Sequence, residues 1–192
     1  MDYDPIKRLN EIAPPTRIPG EIELELRRFL KWEHVKKNEV LLETNEICDR
    51  IWFIKKGLFR AFKKVRGKEE IVWFMGENDL MSDPQSFKRG ERCKHTIVAL
   101  EDSILCSILK KQLEMLQKSS HDFEHIVHSL TWEYYLKFMD YWEDLTSGTI
   151  KHRYHLFLKY FPGLDTRVPV KHIASFLKCS TRSIYRVRKS KR

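Results

Sequence analysis

The C-terminal segment, residues 169–192, concentrates side chains that could contact DNA. An arginine can form two hydrogen bonds with O6 and N7 of a guanine, and both arginine and lysine neutralise phosphates. Between Thr149 and Arg192 there are six lysines, six arginines and one aspartate, and the whole chain carries a net charge of +9. The first 148 residues therefore carry −2. This uneven distribution predicts a polyanionic partner, namely nucleic acid or an anionic membrane surface, although a basic face that is merely solvated would have the same composition.

The spacing inside this segment favours DNA. Apolar residues at 170, 173, 174 and 177 share one helix face, and residues 178–180 interrupt the pattern. Ser180 can cap a second helix, in which Ile184 and Val187 point inward. Two short helices with a tight turn and a basic second helix predict a helix-turn-helix, and a terminal basic helical hairpin is the alternative. The candidate DNA-contacting residues are Ser180, Thr181, Arg182, Tyr185, Arg186, Arg188 and Lys189.

Other chemistry finds little support in the residue pattern. The cysteines are scattered without CxxC spacing, which indicates free thiols in a reducing compartment and argues against an iron–sulfur centre. Histidines that could ligate haem occur, but surface or core histidines are the simpler interpretation. No nucleophile–base arrangement is visible, so we predict neither an enzyme nor a metal or other cofactor. The cysteines are Cys48, Cys93, Cys106 and Cys179, and the histidines are His95, His121, His125 and His128.

A long helical stretch, residues 122–145, precedes the basic segment. It contains no glycine or proline, and its apolar residues recur every three or four positions. We predict that this helix connects two domains and forms a dimer seam, and the alternative is a buried helix of a single domain. The predicted seam residues are Ile126, Leu130, Tyr134, Phe138, Tyr141 and Leu145.

Short β-like runs precede that helix. They lie near residues 40–42, 51–54, 58–64, 70–75, 95–100 and 103–108, with turn signals between them that include Asn45 and a hairpin tip at Arg66-Gly67. This spacing predicts a small antiparallel barrel or roll. A membrane-spanning run and the apolar core of a signal peptide are both missing from the sequence, so we expect a cytoplasmic protein without a membrane partner.

Taken together, residues 20–192 resemble the Crp/Fnr family of bacterial regulators, in a short form. The resemblance rests on residues 51–57 (IWFIKKG) with Arg60, residues 76–80 and 99–102, residues 153–154 with 161–162, and the basic segment. It implies an α+β fold with an antiparallel β-roll of the cyclic-nucleotide-binding type. The implied domains are a sensor at residues 1–118, a dimerisation helix at 119–147 and a helix-turn-helix domain at 148–192.

The chain departs from the family pattern at several positions. Lys178 stands where a turn glycine is usual, Arg182 replaces an acidic residue and Tyr185 replaces a serine, whereas Arg186 and Arg188 match. In the sensor insert, Asp83 matches the ribose-binding glutamate and Cys93 the phosphate-binding arginine. A thiol cannot replace a bidentate guanidinium, so we expect that cyclic AMP is not bound in the usual way and that another small effector, or none, is used. The candidate pocket residues are Ser82, Asp83, Arg92, Cys93 and Lys94.

The sequence therefore predicts a dimeric DNA-binding transcriptional regulator. Its expected partners are double-stranded DNA and a second copy of the chain, with RNA polymerase as a further partner that the resemblance implies. The alternative is a small-ligand sensor or interaction protein whose helix-turn-helix is vestigial.

Overall fold

The computed structural model describes residues 3–12, 17–146 and 148–190. The helices in these ranges are α1 (Pro5–Ile12), α2 (Gly20–Phe29), α3 (Pro84–Arg89), α4 (Lys110–Ser119), α5 (His121–Thr146), α6 (Ile150–Tyr160), α7 (Leu164–Arg167), α8 (Val170–Phe176) and α9 (Thr181–Lys189). The strands are β1 (Lys31–Val35), β2 (Val40–Leu42), β3 (Arg50–Lys56), β4 (Phe59–Val65), β5 (Lys68–Met75), β6 (Leu80–Met81), β7 (Thr96–Ala99) and β8 (Ser103–Leu109).

The strands form two four-stranded sheets, in the orders β1-β8-β3-β6 and β2-β7-β4-β5. Strands β3 and β8 pair antiparallel along most of their length, from Arg50 opposite Leu109 to Lys56 opposite Ile104. The two antiparallel sheets, followed by helices, confirm the predicted β-roll. Strand β1 was not predicted, because four of its five side chains keep solvent contact and only Val35 is buried.

Residues with left-handed backbone angles close the turns where the sequence predicted them. Asn45 has φ 76°, and Arg66 and Gly67 have φ 50° and 77° at the tip of the β4–β5 hairpin. Two successive positive φ values match the twist of the flanking strands. At Gly57, where φ is 121°, an added Cβ would lie 1.9 Å from the hydroxyl oxygen of Ser103, so only glycine fits there.

The contacts divide the chain into two compact units. The first unit comprises residues up to Phe59 together with Met75–Tyr135, and the second comprises Arg60–Phe74 and the chain from Leu136 onwards. The β4–β5 hairpin is thus grouped with the C-terminal helices, although it lies inside the sensor segment in chain order.

The core of the first unit joins its terminal helices to strands β3 and β8. It contains Ile22 and Leu26 of α2, Phe53 of β3, Cys106 of β8 and Phe123 of α5, all at most 8% exposed. Such burial stabilises each large apolar side chain by about 1.5–3 kcal/mol. The first half of α5 is therefore fixed to the roll by its own apolar face.

The core of the second unit is a cluster of aromatic rings around Trp73. The ring of Trp73 lies 4.6 Å from that of Tyr141 and 5.5 Å from that of Phe161, measured between centroids. Phe74 contacts Phe176 at 5.1 Å. These edge-to-face contacts join the hairpin, the second half of α5 and α8 into one hydrophobic core. Among the helices of the described ranges, not one has the length and apolar character needed to cross a membrane.

Candidate nucleic-acid interface

Helices α8 and α9 form a helix-turn-helix arrangement with its own small core. Helices α8 and α9 pack against each other, and four apolar residues of this pair are buried: Ile173, Leu177, Ile184 and Val187. Ala174, the small residue among these apolar positions, is 3% exposed. The periodic apolar residues of the sequence are therefore the ones that hold this unit together.

The turn between these helices keeps the left-handed geometry that usually requires glycine. Lys178 has φ 50°, and the amide of Cys179 donates to the carbonyl of Ala174 at 2.9 Å. A non-glycine residue in this conformation costs about 1 kcal/mol. Lys178 also reaches back to Glu70 of the β4–β5 hairpin, with 3.2 Å between Nζ and Oε2.

Ser180 caps the N-terminus of α9. Its hydroxyl oxygen accepts a hydrogen bond from the amide of Ser183 at 3.1 Å. The side chain is also exposed, so its structural role as a cap does not hide it from a ligand. A capped helix N-terminus carries a partial positive charge that favours a phosphate nearby.

The exposed face of α9 carries most of the residues predicted to contact DNA. Thr181, Arg182, Tyr185, Arg186 and Lys189 are all exposed, and Tyr185 retains 60% of its accessible surface. Arg182 and Arg186 are four residues apart and therefore project from the same side of the helix. This face offers two guanidinium groups, a lysine and an aromatic ring beside the capped N-terminus.

Arg188 corrects one sequence prediction. Its guanidinium donates to the hydroxyl of Tyr154 at 3.0 Å and to the carbonyl of Asp165 at 2.6 Å. The side chain thereby joins α9 to α6 and α7 within the second unit, and it is half-buried. A guanidinium held in this way stabilises the helix-turn-helix and is not available as a base contact.

The β4–β5 hairpin packs on α8 through hydrogen bonds that the sequence did not reveal. The hydroxyl of Ser175 accepts from the amide of Ile71 at 3.1 Å and donates to the carbonyl of Glu69 at 3.2 Å. Beside them, Arg60 donates to the carboxylate of Glu69 at 2.6 Å. The only sequence signal was Arg60, one of the residues that carried the family resemblance.

A buried histidine lies next to this ion pair. His172 of α8 is 9% exposed. Burial, together with the positive charges of Arg60 and Lys171, lowers the pKa of His172 to about 4, although Glu69 acts in the opposite direction. The imidazole is therefore neutral at physiological pH.

In the sensor insert, Asp83 and His95 have internal hydrogen-bond partners. Asp83 is buried, caps α3 by accepting from the amide of Ser86 at 3.0 Å, and lies 2.9 Å from Nδ1 of His95. A carboxylate with these partners fixes the loop–helix geometry of the insert. Ser82, the preceding residue, is only half-buried.

The predicted anion-contact positions do not converge on one point. Cys93 is buried, its thiol donates to the carbonyl of Glu43 at 2.9 Å, and burial raises the pKa of that thiol. Arg92 is exposed and donates to the carbonyl of Asn45 at 2.6 Å. Lys94 is exposed as well. The protonated Cys93 thiol offers no positive charge to a cyclic phosphate.

The predicted dimer seam on α5 requires a larger correction. Ile126 and Leu130 lie in the core of the first unit, the hydroxyl of Tyr134 accepts from the amide of Leu80 at 3.1 Å, and Tyr141 lies in the aromatic core of the second unit. Ile126, Leu130 and Tyr141 are buried within their own chain and cannot form a seam with another, whereas Tyr134 is half-buried. Phe138 keeps 43% of its surface exposed, and the side chain of Leu145 lies outside the described part of the chain.

A different line of residues on α5 faces solvent, and we call it the seam stripe. Its members are separated by alternating steps of four and three residues, which is the spacing of a and d positions in a coiled coil. Six of them are exposed and Met139 is half-buried. The sequence already contained this pattern, but the stronger apolar character of the opposite face obscured it. The seam stripe consists of His121, His125, His128, Trp132, Tyr135, Met139 and Trp142.

Comparison with known proteins identifies the roll. Residues 32–120 match the family model of the cyclic nucleotide-binding domain. This segment runs from β1 through α4 and includes the insert with Asp83 and Cys93. No curated protein matches the chain.

Several solved structures share the fold over most of their length. FixK2 from Bradyrhizobium japonicum is 15% identical with a TM-score of 0.69, and the match covers 84% of this chain and 83% of that one. A protein from Eubacterium rectale assigned to the Crp/Fnr family of transcriptional regulators is 19% identical with a TM-score of 0.68, covering 88% and 82%. The c-di-GMP-responsive regulator CLP from Xanthomonas campestris is 13% identical with a TM-score of 0.67, covering 90% and 91%. At such low identities, the TM-scores establish a common fold and nothing beyond it.

Proposed function

We propose that this chain, which carries a cyclic nucleotide-binding domain and has the fold of the Crp/Fnr regulators, is a dimeric DNA-binding transcriptional regulator of that type. The observation that carries the proposal is the exposed basic face of α9 on a fully packed helix-turn-helix core. The proposal assigns the chain a regulatory role and no enzymatic activity.

The chemistry of that face suits DNA better than another polyanion. Arg182 and Arg186 can enter one major groove together, and Arg186 matches the family position that contacts a base. Thr181 and Ser180 lie at the helix N-terminus, where hydroxyl and amide groups bind phosphate. A membrane-binding helix would instead need an apolar exposed face, and Tyr185 is the only large apolar side chain exposed on the described part of α9.

A second copy of the chain supplies the other half of a DNA site. The seam stripe offers aromatic side chains over three turns of α5, with Trp132, Tyr135 and Trp142 each at least 50% exposed. Exposed aromatic residues at a and d spacing favour pairing of two α5 helices along this stripe. A parallel pair carries both α9 helices at the same end, as two half-sites on one DNA duplex require.

The sensor function we propose does not use cyclic AMP in the usual manner. Cys93 occupies the position of the arginine that holds the cyclic phosphate in the family, and its thiol is buried against a backbone carbonyl. Asp83 is engaged with His95 and Ser86. Titration calorimetry with cyclic AMP should detect no binding at micromolar concentration. A dissociation constant near 1 μM, about 8 kcal/mol of binding free energy, would contradict this part of the proposal.

DNA binding is tested by selecting preferred sites from a random DNA pool and measuring affinity by fluorescence anisotropy at two salt concentrations. Arg186→Ala should cost about 1–3 kcal/mol on the preferred site and flatten the preference at one base pair. Lys189→Ala should weaken all sequences alike and reduce the salt slope by about one. His34→Ala, an exposed change on β1, serves as the matched control. If the wild-type chain selects no sequence and binds no DNA at low salt, the chain is a ligand sensor with a vestigial helix-turn-helix.

A further inference from the structure

Three histidines occupy the first three positions of the seam stripe. His121, His125 and His128 are all exposed on α5, and aromatic residues and Met139 follow them along the same line. The a and d positions of a coiled coil usually hold apolar side chains. Imidazoles buried there in a dimer would each need a polar partner. The proposed seam therefore has one end that differs chemically from the rest.

His121 and His125 have the geometry of a helical metal chelate. They are four residues apart on one face, a spacing at which two histidines can bind one zinc ion. Their ring centroids lie 4.7 Å apart. Two imidazoles bound to tetrahedral zinc at Zn–N distances near 2.0–2.1 Å have centroids about 5 Å apart. The distance between the two rings is thus compatible with their binding one ion.

Glu124 supplies the usual second partner of a zinc-binding histidine. Its Oε2 atom lies 3.5 Å from Nδ1 of His121. A carboxylate on one ring nitrogen orients the imidazole and leaves Nε2 as the ligand. The contact lies within one turn of α5 and requires no residue of a second chain.

One chain alone does not complete a site. Within residues 3–12, 17–146 and 148–190 of a single chain, no three histidine, cysteine, aspartate or glutamate side chains converge as metal ligands. Zinc prefers four ligands in a tetrahedral arrangement. In a parallel pair of α5 helices the same two histidines of the second copy lie directly across the seam, and they would supply the missing two.

We propose that a Zn²⁺ ion binds between two copies of this chain, held by His121 and His125 of each copy. This inference rests on the proposed parallel dimer, since an antiparallel pairing would place His121 opposite Trp142. Four imidazole ligands leave no open coordination position, so the ion would be structural. By mass action, zinc would favour the dimer and with it the form that can bind two DNA half-sites.

The test uses the full chain after removal of metal with a chelator and dialysis. Zinc binding is measured by competition with a chromophoric chelator, and oligomeric mass is measured by light scattering with and without zinc. We expect one zinc ion per two chains. Zinc should also stabilise the dimer, so that the dimer persists to lower protein concentrations than it does without the metal. His121→Ala and His125→Ala should each lower zinc affinity at least about 10- to 100-fold. Removal of an outer-sphere partner typically has an effect of this size, and removal of a direct ligand should cost no less. His34→Ala should bind zinc like the wild type.

Cobalt substitution identifies the ligands independently of affinity. A cobalt complex with nitrogen ligands has visible bands typical of tetrahedral coordination and lacks the thiolate-to-metal charge-transfer band that a cysteine ligand would produce. A thiolate band, one zinc ion per chain, zinc affinity unchanged in His121→Ala, or the absence of zinc binding would each overturn the site. A dimer that binds no zinc refutes only the metal site. A wild-type chain that is monomeric with and without zinc refutes the proposed dimer as well.

Discussion

Replacing Arg188 by alanine should weaken the fold of the C-terminal unit without removing a DNA base contact. The guanidinium donates to Tyr154 at 3.0 Å and to the carbonyl of Asp165 at 2.6 Å. A hydrogen bond with one charged partner contributes about 1.5–3 kcal/mol, and the lower value suits a half-buried side chain, so the two bonds together contribute about 3 kcal/mol. For a chain of this size, that loss lowers the melting temperature by about 6–12 °C.

The assay compares Arg188→Ala with Arg186→Ala in thermal melting and in DNA binding. Arg186 is exposed on α9, so its removal should leave the melting temperature within about 2 °C of the wild type, as is usual for surface changes. Arg188→Ala, measured well below its melting temperature, should keep the same preferred DNA sequence. Tyr154→Phe removes one of the two partners and should show a smaller loss of stability. If Arg188→Ala melts like the wild type and loses base preference, our placement of the two arginines is wrong.

Three further predictions concern helix α5, the turn at Gly57 and the buried His172. Trp132→Glu should convert the dimer to a monomer, measured by light scattering, while circular dichroism shows that the chain stays folded. Ile126→Glu should instead unfold the chain, because the new charge would be buried in the core of the first unit. A folded, monomeric Ile126→Glu variant would contradict this. Gly57→Ala should lower the free energy of unfolding by more than about 2 kcal/mol in urea titrations, because the new methyl group meets Ser103 and the left-handed backbone adds strain; an unchanged midpoint would count against it. The pKa of His172 lies near 4, below the ordinary value of 6.5, so the unfolded state binds the proton more tightly than the folded state. The free energy of unfolding should therefore be highest above pH 6.5 and fall by roughly 1–3 kcal/mol as the pH drops toward 4. A His172→Leu variant should lack this part of the pH dependence.

Local sequence patterns determined the helix caps, the turns and the shared core of α8 and α9. The cap at Ser180, the left-handed turn residue Asn45 and the tight hairpin tip at Arg66 depend on a few neighbouring residues, and each lies where the sequence predicted it. The apolar spacing of α8 and α9 likewise predicted which side chains form their shared core. Such features follow from helix periodicity and backbone sterics, and these act over a few residues.

The choice between faces of one helix depended on distant parts of the chain. Helix α5 carries two apolar lines, and the sequence alone did not reveal that Leu130 and Tyr141 would be covered by their own chain. That outcome depends on Phe53, Cys106 and Trp73, which are distant in sequence. The seam stripe stays on the surface because the other apolar line packs in the cores of its own chain.

The same holds for the polar residues of the two candidate sites. Arg186 and Arg188 are two positions apart and chemically identical, yet only the position of α6 and α7 directs one of them inward. Asp83 and Cys93 matched ligand positions by their place in the chain, but the hydrogen bonds to His95 and Glu43 that occupy them come from other segments. A sequence specifies which groups can donate, accept or carry charge. Tertiary packing decides which of them are already satisfied inside the protein, because an unsatisfied polar group is costly to bury and takes the nearest partner that the fold supplies.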